Sequence, residues 1–232
     1  IYTLDYILIR DISEIERSIM DSLGFLPLSV LLVTIILNQM IANRSREERL
    51  EKMNMVIGTY FSEIGSWLLT YLSDCDPELQ ELRGDLVNIN SWPDAEFSRI
   101  QNKLRSHKWV VSMQKIDLEV LRTFLVSKRS FMLMLLDNPV ILEHESFTEL
   151  LRASFHLTEE LTYRGTLTGL PSEDCNHLAV DIERVYFHLL NQWLDYMRYL
   201  KVSCPYLFSL AMRTNPFDED ASVVVTTSPN EE

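Results

Sequence analysis

Glycine is scarce here, with six among 232 residues, and no segment keeps the strict alternation of a half-buried strand. Together these exclude a sandwich or barrel and point to helices. Cysteine is scarcer still. Cys75, Cys175 and Cys204 are odd in number and widely spaced, with no CxxC among them. That pattern indicates neither a disulfide framework nor a thiolate zinc site, and it suits a reducing compartment. Positive charge is in deficit, 21 Lys and Arg against 34 Asp and Glu, for a net charge of −13. A nucleic-acid partner is therefore not expected, since it needs a clustered basic surface. The P-loop, GxGxxG, GxSxG and HExxH patterns are all missing, so no catalytic residue is nominated and no cofactor is expected.

Charge is also missing from one continuous stretch, residues 25–42, which holds 18 residues without an ionisable side chain. As a helix it would be roughly 27 Å long, close to the thickness of a hydrocarbon core. A buried core helix would show a polar face, and this stretch offers only Ser29, Thr34, Asn38 and Gln39. Residues 24–43 are accordingly expected to cross a bilayer, with Pro27 in the first turn. Arg44, Arg46, Arg49 and Lys52 follow it within ten residues, whereas only Arg10 and Arg17 precede it. The excess of basic residues places the C-terminal part in the cytoplasm. Thr34 and Asn38 lie one turn apart and would either seek partners on neighbouring helices or, for Thr34, bond to their own backbone.

Along the rest of the chain, Leu4, Leu8, Ile12, Ile15, Ile19 and Leu23 recur at helical spacing, predicting an amphipathic helix over 1–23. Leu50, Met53, Ile57, Tyr60, Ile64, Trp67 and Tyr71 continue in alternating three- and four-residue steps, the spacing of a bundle seam. Beside them run Gly58, Ser62 and Gly65, small enough to admit another backbone, either within the bundle or in a second copy. Further helices are predicted over 94–111, 117–137, 146–163 and 172–202, with Asp117 and the "SFTE" at 146–149 as caps. The soluble part thus reads as a helical bundle over 44–214, followed by an acidic, largely disordered tail over 215–232.

Six residues could carry chemistry. On the third long helix Glu149, His156 and Glu160 share a face; on the fourth His177, Asp181 and His188 share another. Were the two faces to meet, imidazoles and carboxylates could hold iron, zinc or manganese. Arg152 and Arg184 lie among them, however, and the fourth-helix candidates stand off the apolar stripe. Both features fit a solvated face laced with ion pairs better than a metal site.

The stretches "LGFLPLSVLLVTIILNQMI", "LEKMNMVIGTYFSEIGSWLL", "HESFTELLRASFHLTEEL" and "PYLFSLAMRTNPF" resemble a group of uncharacterised prokaryotic single-pass membrane proteins. That resemblance implies one membrane segment and a helical cytoplasmic domain, with no activity attached. The combined expectation is an all-α protein in the cell (inner) membrane, acting as a non-enzymatic interaction, scaffold or sensor module. Its partners would be the lipid bilayer, a further copy of itself and another protein. A membrane-tethered metal-binding bundle with a redox or oxygen-sensing role is the alternative, and a small oligomeric channel a third.

Overall fold

The computed structural model describes residues 12–106 and 109–224. The expected helix over 1–23 and the tail over 215–232 therefore fall partly outside the described residues. Most side chains of 12–24, which would reveal an amphipathic face there, fall outside them as well. All regular structure among the described residues is helical. Helix α1 spans Ile12–Tyr60, a π-helical turn Phe61–Gly65, and α2 Ser66–Ser73. Then come α3 (Gln80–Val87), a 3-10 turn (Ile89–Ser91), α4 (Asp94–Ser106) and α5 (Leu118–Leu136). The chain closes with α6 (Pro139–Leu142), α7 (Glu145–Tyr163), α8 (Ser172–Ser203) and α9 (Pro205–Arg213). It divides into two compact units, Ile1–Glu51 and Lys52–Glu232.

In the first unit the described part is helix throughout. It runs through Pro27 instead of starting there. Every described side chain from Val30 to Ile41 is exposed, and this is the one described helix apolar and long enough to cross a membrane. Its hydroxyls are satisfied within the helix: Ser29 Oγ donates to the Phe25 carbonyl at 2.9 Å and Thr34 Oγ1 to the Val30 carbonyl at 2.7 Å. Arg44 and Glu48 form an ion pair one turn apart.

The second unit is a bundle organised by α8. Its stripe of Leu178, Ile182, Val185, Leu189, Trp193, Met197 and Leu200 is buried. Burial of each such side chain contributes about 1.5–3 kcal/mol. Helices α2, α4, α7 and α9 pack against α8, and α5 packs on α7. The core extends past the expected end of the bundle. Phe217 is buried edge-on to Trp193, and the Asn215 side chain donates to the Leu86 carbonyl at 3.0 Å. Helix α4 stops at Ser106 rather than near 111, because Val111 turns its N–H to the Glu183 carboxylate and lies buried off the helix.

Caps define several ends. Asp117 accepts the N–H groups of Glu119 and Val120, as its position before an apolar run predicts. At α7 the expected cap is displaced by two residues. His144, not Ser146, caps the helix, its Nδ1 accepting the Phe147 N–H at 3.2 Å. Ser146 instead donates to the buried Gln192.

The seam read from 50 to 71 holds from Met53 to Ile64, Leu50 being exposed, and then shifts by one position. Met53, Ile57, Tyr60 and Ile64 are buried, but beyond the π turn the buried residues are Leu68, Leu69 and Leu72, while Trp67 is 37% exposed. The turn adds a residue and so rotates the later face. Gly58 and Gly65 are explained inside this unit. A Cβ on Gly58 would lie 2.4 Å from Tyr196 Oη, and one on Gly65 2.4 Å from Phe61 Cδ1. Phe61 stacks on Tyr196 at 5.5 Å and meets Tyr60 edge-on, so neither ring can retreat. Ser62 is exposed and takes no part.

Two measurements follow from these contacts. Gly65→Ala regains up to about 1 kcal/mol of helix propensity but overpacks the Phe61 ring at about 1–3 kcal/mol. It should lower stability in urea, whereas Gly84→Ala, with open space around it, should raise it by about 0.5–1 kcal/mol. Burial lowers the pKa of His144, with Asp195 opposing the shift, so the fold favours the neutral ring that serves as cap. That contribution is complete above about pH 6.5 and is lost as pH falls through the lowered folded value. His144→Asn caps without titrating. Its stability relative to the wild type should improve by up to about 1 kcal/mol between urea melts at about pH 8 and about pH 5.

Candidate metal centre

Helices α7 and α8 are joined by the 164–171 connection and pack side by side as antiparallel neighbours. An antiparallel pair matches ascending positions on one helix to descending positions on the other. Glu149, His156 and Glu160 step by seven and four; His188, Asp181 and His177 step back by seven and four. The packing therefore sets each histidine opposite a carboxylate: Glu149 with His188, His156 with Asp181, and Glu160 with His177.

Two of these layers merge into one cluster. His156 Nε2 lies 3.4 Å from Asp181 Oδ2, and His177 Nε2 lies 3.5 Å from the same oxygen. His177 Nε2 is also 3.5 Å from Glu160 Oε2, and His156 Nε2 is 3.9 Å from Glu160 Oε1. Glu160, His177 and Asp181 each offer a donor atom within 4.8 Å of the others'.

Burial within the cluster is uneven. The Asp181 side chain is 3% exposed, while the rings of His156 and His177 are about half exposed. Asp181 was expected off the apolar stripe, on a solvated face; the structure buries it. Its position explains this, since it stands one turn from both Leu178 and Val185 and so shares their face. His177 does remain off the stripe, as expected.

Of the two arginines expected to mark a solvated face, Arg152 does pair with Glu149 at the exposed surface, while Arg184 braces an acid of the cluster from behind. Arg184 donates to Asp181 Oδ1 at 2.6 Å, which leaves Oδ2 buried and without a hydrogen-bond partner. Arg164, which closes α7, donates to Glu160 Oε2 at 2.7 Å and grips Asp174 with two nitrogens at 2.6 and 2.9 Å. Those hydrogen bonds hold both carboxyls below the usual range and push the guanidinium pKa upward. The sequence reading missed Arg164 and Asp174. The signal available for them was position alone: an arginine one turn past Glu160 and an acid in the first turn of the next helix.

The third layer stands apart. Seven residues of helix separate it from His156 and Asp181, about 10 Å along the axis. Glu149 pairs with Arg152 at 2.7 Å. Burial lowers the pKa of His188 against the opposing influence of Glu149. These two residues line a separate polar groove with Gln101, Arg105 and Asp195. What the merged cluster offers chemically is three donors close enough to share one ion, from Glu160, His177 and Asp181, with His156 beside them 3.4 Å from Asp181 Oδ2, and no serine or cysteine nucleophile among them.

Comparison with known proteins places the whole chain. Residues 49–213 match the family profile described as the C-terminal helical domain of uncharacterized protein MJ1433, and residues 1–41 match that of its N-terminal helical domain. Uncharacterized protein MJ1433 of Methanocaldococcus jannaschii is 38% identical over 224 residues, covering 97% of this chain and 90% of the relative. No solved structure matches. The all-helical fold, the two profile matches and this similarity along nearly its full length establish that the chain belongs to the MJ1433 family of helical-domain proteins.

Proposed function

We propose that the protein is a membrane-anchored, non-enzymatic helical module in which residues 24–43 span the inner membrane and the bundle works in the cytoplasm as an interaction or sensor domain. The observation that carries this reading is the charge-free stretch over 25–42, none of which is buried within the chain. A run of exposed Leu, Ile and Val this long has no use in water, and in hydrocarbon it needs no protein cover. The internal hydrogen bonds of Ser29 and Thr34 suit the same surroundings, because they leave no hydroxyl for lipid to face. Basic residues cluster immediately after the stretch, which supports the cytoplasmic orientation of the bundle. The module acts through protein contacts, with a second copy and a separate partner protein as its expected ligands.

The test is fractionation of the full chain. It should sediment with membranes, resist an alkaline wash and dissolve only in detergent. The double substitution Leu32→Arg, Val33→Arg places two charges at the centre of the span, at roughly 2.5–3.5 kcal/mol each, and should release the chain to the soluble fraction. A wild-type chain washed off by alkali would remove the span from the reading.

A further inference from the structure

We infer that His156, Glu160, His177 and Asp181 form a binding site for a divalent transition-metal ion, zinc above all. This stands independently of the membrane reading, since it rests on α7 and α8 alone. The first argument is metric. Ligands at about 2.0–2.1 Å from a tetrahedral zinc ion stand about 3.3–3.4 Å from one another. Three separations, two across the helices at 3.4 and 3.5 Å and one within α8 at 3.5 Å, fall near that edge length. They are long for charge-assisted hydrogen bonds, which run about 2.7–2.9 Å between nitrogen and carboxylate.

The second argument is the state of Asp181. Its Oδ2 is buried and accepts no hydrogen bond, although two imidazole nitrogens lie within 3.5 Å of it. A buried carboxylate oxygen left so is costly, and a cation held between it and the two rings would satisfy all three. Third, the donor set is chemically selective. Imidazole nitrogen together with carboxylate oxygens suits zinc or ferrous iron; magnesium and calcium prefer oxygen alone. Arg184 occupies an outer position of the kind that such sites use to fix a carboxylate, while Arg164 donates to Glu160 Oε2, the oxygen that also faces His177. Arg184 takes the Asp181 oxygen that faces away from the rings, so it orients the ligand instead of competing with the ion. The two half-exposed rings leave a path for the ion and room for water to complete its coordination.

The experiment uses the full chain, solubilised in mild detergent and stripped with a chelator. Co2+ is the optical probe and Zn2+ the calorimetric one. The expected result is one ion per chain, a tetrahedral visible spectrum for Co2+, its displacement by Zn2+, and no comparable response to Mg2+. Asp181→Asn keeps the shape of the side chain, and His177→Ala alters a half-exposed one. Both should weaken Zn2+ by more than about tenfold, the lower bound already set by partners one shell further out. His188→Ala, two turns away, should leave affinity unchanged, and the helical spectrum of each variant serves as the folding control. Absence of stoichiometric Zn2+, equal affinity in His177→Ala, or an equal response to Mg2+ would each overturn the assignment.

Discussion

The folded unit depends on burying one face of α8. At 32 residues it is the longest helix of that unit, too long to hide its stripe against any single neighbour. Helices α2, α4, α7 and α9 are therefore drawn onto it, and α5 packs on α7. The antiparallel contact with α7 has the greatest consequence. Once two helices pack with fixed register, every polar residue at the rim of the contact acquires a defined opposite number. The histidine–carboxylate layers follow from hydrophobic packing, without any separate device to assemble them.

Much of this could be read from the residues. The α8 stripe, the Asp117 cap and the bundle class all follow from apolar spacing and cap chemistry. The six candidate residues were also visible, and so was their stepping by seven and four in opposite directions. What local reasoning lacked was the depth of Asp181. An aspartate beside an apolar stripe reads as solvated unless the width of the contact is known, and that width is a tertiary property. The same limit explains the cap at α7. His144 and Ser146 are both competent, and the choice went to the one whose rival found a better partner in Gln192, a residue 46 positions away.

Charge balance around the cluster follows the same logic. Glu160, Asp174 and Asp181 would repel one another at the α7–α8 end if left alone. Arg164 and Arg184 offset most of that, each donating to a carboxylate near its own place in sequence. The hydrogen bonds from Arg164 hold the Glu160 and Asp174 carboxyls below the usual range.

The π turn at Phe61–Gly65 also bears on how this chain can vary in length. Removing one residue there would restore regular helical hydrogen bonding, a locally favourable change. Because the turn absorbs one extra residue, Leu68, Leu69 and Leu72 would keep their place on the buried face, whereas straightening the turn at its present length would rotate them by about 100°. The wide turn thus works as a phase adjuster between two stretches whose apolar faces are out of step, with Gly65 making room for the Phe61 ring it displaces. Elsewhere along 57–72 a single-residue change would turn the later apolar face away from the core, so length variation across this family should gather in connections such as 164–171 and at the Phe61–Gly65 turn itself.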